Sequence, residues 1–202
     1  MGEHRHDTTT RAFFESVYAA SEDPWSFATD PYELGRYRHI VSLLGDRTFA
    51  HGFEPGCSVG VLTELLAPHC RHLLAMDISG IAVGRAQARC AALPQVEVRQ
   101  GALPDDGPAG AVDLVVLSEI GYYFDEPALS AVVARMAERM TTDGVLIAAH
   151  WTGHSPDHVL SGHEVHRLLD AAPGLRRISG ESRPGYLIGR YHRRSRGSMF
   201  GR

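Results

Sequence analysis

The apolar positions change period along the chain, and each change marks an element. From residue 48 onward, short apolar runs alternate with longer stretches in which apolar residues recur every three or four positions. Runs of the first kind suit strands and stretches of the second suit helices. The pattern predicts strands over 48–54, 72–77, 96–100, 112–118 and 145–150. The run 112–118 is almost continuously apolar, as a strand covered on both faces should be. Between the strands, helices are predicted over 61–67, from a cap at Ser79 to residue 93, and over 126–140, with a loop at 104–110 and a turn at Asp143-Gly144. Ser161 and Glu164 have capping-box spacing and open a helix to residue 171. Two last strands, 176–182 and 186–192, flank Pro184-Gly185 in a hairpin-like connection.

Ahead of this alternation two helices are expected. The first starts at Thr8 or Thr9 and carries Phe13, Phe14 and Val17 on one face. The second has Asp30 as cap, Pro31 in its first position and Glu33 to complete a capping box, and it runs to about residue 44, before Gly45. The stretch 21–29 between them is a loop with two aromatics, Trp25 and Phe27. Residues 1–7 are expected to be disordered, and 193–202 to form a basic, solvated tail. Strand–helix alternation ending in an antiparallel pair argues for an α/β, doubly wound open sheet. Ligands bind such sheets at the carboxyl ends of the strands. Residues 54–60, Asp77, 101–103 and 118–123 all fall at those ends.

The most informative stretch is Phe53-Glu54-Pro55-Gly56-Cys57-Ser58-Val59-Gly60, on a strand-to-helix turn. Glycine tolerates positive φ and lets a ligand approach the backbone, and the following helix offers unpaired N–H groups. The spacing is Glu-x-Gly-x-x-x-Gly. It is neither the dinucleotide G-x-G-x-x-G nor a phosphate-binding G-x-x-x-x-G-K-[ST]. Asp77 ends the next apolar run and can accept hydrogen bonds from two ribose hydroxyls.

Together these residues resemble the first motifs of the class I S-adenosylmethionine-dependent methyltransferases. Glu54-Pro55-Gly56-Cys57, the run from Leu62 to Cys70 that ends in Ala-Pro-His-Cys, and Ser118-Glu119-Ile120-Gly121-Tyr122-Tyr123 narrow the resemblance to the NodS family of nodulation methyltransferases. Asp23-Pro24-Trp25-Ser26-Phe27 and Arg36-Tyr37 fit the same family. The resemblance implies a Rossmann-like, seven-stranded methyltransferase fold, mostly parallel with an antiparallel C-terminal strand, in the order 3-2-1-4-5-7-6. It implies one domain over 1–202: an N-terminal helical segment or lid at 1–45, a core at 46–192 and the tail.

The cofactor implied is S-adenosylmethionine, with S-adenosylhomocysteine as product. By resemblance, Glu54, Gly56 and Cys57 approach its methionine part, and Gly60 lets the next helix pack closely. Asp77 holds the ribose. Ile78 packs on the adenine, and Ala102 (through its N–H) and Leu103 meet the adenine edge. Ser118 and Glu119 lie beside the methionine amino group or the methyl, and Tyr37 and Trp25 close over the cofactor. Trp25, Tyr122, Tyr123 and Trp151 are candidates for the acceptor pocket. Trp25, Tyr122 and Tyr123 read equally well as core packing. Glu119 and His150, at the ends of the fourth and fifth strands, are the candidate bases, since an amine acceptor must be neutral to attack and histidine titrates near neutrality.

Composition narrows the partners. The 202 residues carry a net charge of −4, and every basic residue among the 20 Lys and Arg is Arg. Nothing calls for nucleic acid. No apolar run approaches the ~20 residues that span a bilayer, and 1–11 lacks a signal-peptide apolar region, so a cytoplasmic chain without a membrane partner is expected. The absence of Lys and Asn beside abundant Ala, Gly and Arg points to a GC-rich, bacterial genome. Cys57, Cys70 and Cys90 show no C-x-x-C and are expected to be buried free thiols. His69 with His72, and His163 with His166, invite a metal, but H-E-x-x-H is absent and exposed or capping roles are expected. His4 and His6 lie in the leader. The reading is a methyltransferase acting on a small-molecule acceptor, most readily an amine, an amino sugar or oligosaccharide included. A small-molecule O-methyltransferase, a non-catalytic cofactor-binding scaffold and an NAD(P) oxidoreductase are the alternatives, the last opposed by the missing G-x-G-x-x-G.

Overall fold

The computed structural model describes residues 10–194. The expected disorder at 1–7, the histidines of the leader and the tail beyond 194 lie outside the described residues. The elements, in chain order, are α1 (Arg11–Ala20), α2 (Pro31–Ser42), β1 (Phe49–Pro55), α3 (Val61–Leu66), β2 (Cys70–Asp77), α4 (Gly80–Arg89), β3 (Val96–Gln100), β4 (Val112–Ser118), α5 (Glu126–Arg139), β5 (Met140–Trp151), α6 (Gly162–Ala171), β6 (Leu175–Arg183) and β7 (Tyr186–Arg193). Short 3₁₀ turns stand at Ala67–His69 and Gly121–Tyr123.

The strands form one seven-stranded sheet in the order β3-β2-β1-β4-β5-β7-β6. β1 to β5 pair in parallel, and β7 runs antiparallel between β5 and β6. The order reverses between β1 and β4, so a crevice opens at the carboxyl ends of those two strands. Period-two alternation supplies both faces of the sheet. Leu114, Val116, Val145 and Ile147 enter one apolar core with residues of α2 and α3. Val115, Leu117, Leu146 and Ala148 enter the other, with α5 and α6. In α5 the buried set Leu129, Val132, Val133, Met136 and Ala137 traces one helical stripe.

The start signals act largely as the sequence suggests. Asp30, Ser79 and Asp125 accept backbone N–H groups at the starts of α2, α4 and α5, and Ser161 with Glu164 closes a full capping box on α6. Three features differ from expectation. Thr10, rather than Thr8 or Thr9, caps α1. Glu33 does not close a box with Asp30, because its carboxylate turns to Arg36. β5 begins at Met140, not 145: Met140 pairs with Val112, and a register irregularity follows before Leu114 pairs with Val145. Gly144 permits that irregularity, since a Cβ there would lie 2.9 Å from the Thr141 carbonyl oxygen.

The N-terminal helix is docked by reciprocal capping. Glu15 of α1 accepts from the Gly80 N–H (2.6 Å) and the Ser79 hydroxyl (2.9 Å) at the start of α4. Arg85 of α4 donates to the carbonyls of Tyr18, Ser21 and Glu22 at the end of α1. Each side chain meets the helix end whose partial charge opposes its own. Among the described residues no helix is long and apolar enough to cross a membrane.

Gly60 gives a direct test of the strand–helix turn. It adopts φ +82°, and a Cβ would meet Ala86 Cα and Cβ at 3.0 Å. Gly60→Ala should therefore cost about 1–3 kcal/mol from the left-handed backbone and the overpacking together. Urea unfolding should show a lower midpoint at unchanged slope; an unchanged midpoint would refute the packing role.

Candidate functional site

A cavity of about 470 Å³ opens at the carboxyl ends of β1, β2, β4 and β5. Its floor is the turn after β1. Gly56 sits at φ +74° and Ser58 at φ +50°, and the Gly56 and Cys57 N–H groups donate to the Met76 carbonyl at 2.6 and 3.0 Å. This folds the glycine turn back onto β2. Asp77 completes the tie: its two carboxylate oxygens accept from the Ser58 and Ser79 N–H groups, each at 2.9 Å. A carboxylate has about four lone-pair sites, so Asp77 keeps capacity for a ligand's hydroxyls. Burial pushes its pKa up to about 6, against the two N–H groups that lower it.

Glu54 lies deeper. It is 2 % exposed, its Oε2 has no hydrogen-bond partner, and burial pushes its pKa up to about 8. Ser118 at the end of β4 likewise has an unpartnered, buried hydroxyl. Both residues line the cavity. Two lining residues thus each carry a buried oxygen without a partner, which a ligand's N–H donors could satisfy.

On the opposite wall stands an ionic group reaching in from the N-terminal segment. Arg36 of α2, only 1 % exposed, is in close contact with Glu33 and lies 3.4 Å from Glu119. Glu119, at φ +60° just after β4, is engaged on both oxygens: Oε1 accepts from the Trp151 N–H (2.8 Å) and Oε2 from the Tyr122 hydroxyl (2.7 Å). Burial pushes its pKa up, with Arg36 opposing. Burial also raises the pKa of Glu33, to about 7, again opposed by Arg36.

The structure brings most of the expected residues together. Trp25, Tyr37, Glu54, Gly56, Cys57, Asp77, Ile78, Ala102, Leu103, Ser118, Glu119, Tyr122, Tyr123 and Trp151 all line the cavity. Gly60 stands behind it against α4. Two placements differ from the expected roles. The Ala102 N–H already donates to Asp106 Oδ2 at 2.8 Å, so it is not a free donor for a base edge. His150 does not reach the cavity. It is 0 % exposed, its Nε2 accepts from the Gly121 N–H at 3.1 Å, and its Nδ1 lies 3.4 Å from Nε2 of His166. Burial drives its pKa well down. It is a core histidine that holds the Gly121 turn, and His166, expected to be exposed or capping, is buried beside it. His72 stacks on His51 with planes 14° apart. All three cysteines are buried free thiols.

Residues the sequence did not single out for the site also line it: Phe14 and Tyr18 from α1, Glu33 from α2, and Ser155, Asp157 and His158 from the β5–α6 loop. Tyr18 donates to the Ser58 hydroxyl at 2.7 Å. The helical spacing of Phe14 and Tyr18 was the available signal, but it reads equally as core.

The sheet order, the glycine turn and the acidic residue ending β2 define the class I S-adenosylmethionine-dependent methyltransferase fold. The family model described as Nodulation protein S (NodS) matches residues 11–162, and the chain belongs to that family. Nodulation protein S of Rhizobium tropici is 29% identical over 126 residues, 62% of this chain and 53% of that protein. The chain thus spans about half the length of that relative. The structure of N-methyltransferase NodS from Bradyrhizobium japonicum WM9 in complex with S-adenosylhomocysteine matches with a TM-score of 0.81 at 24% identity, covering 94% of this chain and 100% of that one. A solved protein from Pseudomonas syringae is 31% identical, covers 80% of this chain and 99% of its own, and has a TM-score of 0.71.

Two consequences can be measured. Removing one partner of a buried ionic group leaves the others uncompensated, at about 3–5 kcal/mol. Arg36→Met should cost that much in urea unfolding, and more than Glu33→Gln; a loss below 1 kcal/mol would deny the group its structural role. The second concerns pH. Glu54 titrates at about 8 in the folded chain against 4.5 when free, so between those values the folded chain binds the extra proton and stability falls as pH rises. This contribution is full below about 4.5 and lost through about 8. Thermal stability of the ligand-free chain should fall from pH 7 to 9 and fall less in Glu54→Gln; equal slopes would refute the assignment.

Proposed function

We propose that the chain transfers the methyl group of S-adenosylmethionine to a small-molecule amine, an amino sugar or oligosaccharide included. The observation that carries this reading is the make-up of the cavity. Glu33, Glu54, Asp77, Glu119 and Asp157 line it among aromatic rings, and no Arg or Lys is among the described residues that do. Aromatic faces and carboxylates attract cations. A sulfonium, the ammonium of its methionine part and an amine acceptor all suit such a space. The name of the Bradyrhizobium relative, an N-methyltransferase, agrees with the amine.

The cofactor, when bound, supplies a methyl group activated on sulfur. In this reading the chain's own residues do the rest. Glu54 and Ser118 hold the methionine ammonium, Asp77 holds the ribose through its spare lone pairs, and Ile78 and Leu103 cover the adenine. Trp25 and Tyr37 exclude water from the reacting atoms, with residues 10–45 as the closing lid. Glu119 fixes the walls on which Tyr122 and Trp151 stand, a positioning role. Orientation of this kind supplies about 7–11 kcal/mol of a barrier in favourable cases.

Calorimetric titration with S-adenosylhomocysteine, S-adenosylmethionine and NAD tests the cofactor. The first two should bind and NAD should not. Asp77→Ala should weaken S-adenosylhomocysteine about 10–100-fold, the worth of hydrogen bonds to a charged group. Unchanged affinity would sink the ribose assignment. Turnover on hydroxyl acceptors but no amine would favour the O-methyltransferase reading, and binding without turnover on either the scaffold.

A further inference from the structure

The loop between β5 and α6 closes one end of the cavity and carries a group with no part in the contacts above. His158 is half-buried and lines the cavity beside Ser155 and Asp157. Its ring stacks on Tyr122 with centroids 3.7 Å apart and planes 18° apart. Tyr123 meets it edge-on at 5.3 Å and Trp151 at 6.0 Å. The loop is pinned under it: the Val159 and Leu160 N–H groups both donate to the Tyr122 carbonyl, at 2.8 and 3.1 Å, and the His158 N–H donates to the Ser155 carbonyl at 3.2 Å. Tyr122 is itself anchored through its hydroxyl to Glu119. The imidazole therefore has a built position.

Its chemistry is also set apart. Among the described residues lining the cavity it is the one imidazole. Burial lowers its pKa, Asp157 beside it opposes, and His154 adds to the lowering. The lowering leaves the ring neutral at pH 7, with a nitrogen lone pair open to a proton. The groups facing it are Tyr122 and Tyr123 from the 3₁₀ turn, Trp151 from β5, and Asp157 and His154 from its own loop, with Glu119 and Arg36 behind Tyr122. The competing bases are committed elsewhere. Glu119 is engaged on both oxygens, Glu33 is held by Arg36, and His150 lies outside the cavity.

We propose that His158 is the proton acceptor of this site, taking from the bound ammonium the proton that the acceptor nitrogen must give up before it is methylated, with Asp157 stabilising the imidazolium. The proposal rests on the amine-methyltransferase reading. In balance, the nitrogen gains one bond to the methyl carbon and loses one N–H proton. The electron pair of the broken carbon–sulfur bond stays on sulfur. The proton passes to the His158 ring and, since the residue is only half-buried, on to water. A neutral nitrogen is required for attack, and general-base help of this kind contributes about 10²–10⁴-fold.

The test uses the full chain, with free-amine glucosamine tetramer as probe and its N-acetylated form as control. In the complex with S-adenosylhomocysteine, where no turnover occurs, the ¹⁵N resonances of His158 (assigned with His158→Gln) should be those of a neutral ring at pH 7. They should move toward the imidazolium on adding the amine and stay put with the acetylated form. In turnover, His158→Gln should lose about 100-fold in kcat at pH 7 with KM and S-adenosylhomocysteine affinity within threefold of the parent. The deficit should shrink toward pH 9, where the amine deprotonates unaided. Asp157→Asn should move the acid limb of the parent's kcat profile to lower pH. A His158 resonance indifferent to the amine, or a kcat deficit equal at every pH, overturns the assignment and leaves the residue a wall. Failure of the parent chain to bind S-adenosylhomocysteine overturns the cofactor reading instead, and the response of His158 to the amine alone still decides this one.

Discussion

The buried guanidinium of Arg36 is the constraint on which the site's geometry depends. A charge that is 1 % exposed must be compensated or it destabilises the fold. Compensation comes from Glu33 on its own helix and from Glu119 at the end of β4. The second contact joins the N-terminal segment to the sheet. Glu119 also accepts from the Trp151 N–H and the Tyr122 hydroxyl. One side chain thus fixes α2, the end of β5 and the 3₁₀ turn relative to one another, and these form one wall of the cavity. The group sets two carboxylates against one cation, so once Glu33 ionises, at about 7, its excess charge is negative and adds to the preference of the cavity for cations.

A second tie works at the other end by a similar economy. Asp77 holds the turn after β1 through Ser58 and the start of α4 through Ser79. Tyr18 of α1 reaches the same Ser58, and Glu15 of α1 takes the same Ser79. Floor and N-terminal helix are thereby registered on one carboxylate and two serines. Ser58 and Glu119 are both non-glycine residues at positive φ, and both line the cavity. Such backbone costs of order 1–3 kcal/mol and persists where the surroundings over-determine it. The hydrogen bonds just described are that over-determination.

Much of this was legible in the sequence, for reasons that particular residues make clear. The doubly wound order follows from strand–helix alternation, which is a local pattern, and from the resemblance carried by Glu54 to Gly60 and Asp77. Caps at Asp30, Ser79 and Ser161 are short-range chemistry and were readable. What was hidden depends on long-range contacts. Glu33 has capping-box spacing, but the electrostatic demand of Arg36 outweighs one N-terminal hydrogen bond. His150 ends a central strand beside the site, but strand alternation alone does not say that its ring is packed on His166 beneath the wall. Ala102 has an N–H in the expected place, and Asp106, four residues on, occupies it. Phe14 reads as part of one helical face with Phe13 and Val17, and nothing local says that Phe14 and Tyr18 look into a cavity.

The same carboxylates that fit the cavity to a cation make it unfavourable when no cation is present. Glu54 and Asp77 are buried with few donors, and burial holds their protons on to about 8 and about 6. Below about 6 both keep their protons and the pair is neutral, and between about 6 and 8 Glu54 alone does, at the expense of the charge that would attract a ligand. A cationic ligand reverses the balance: it stabilises the ionised forms, draws protons off, and by linkage stabilises the fold that binds it. His158 is placed on the opposite side of this exchange. It is neutral when the site is at rest and becomes charged only when a nitrogen gives up its proton. An Arg or Lys beside Glu54 and Asp77 would hold both ionised and remove this response. The lack of such a residue among the described lining is therefore as much a part of the site as the acids themselves.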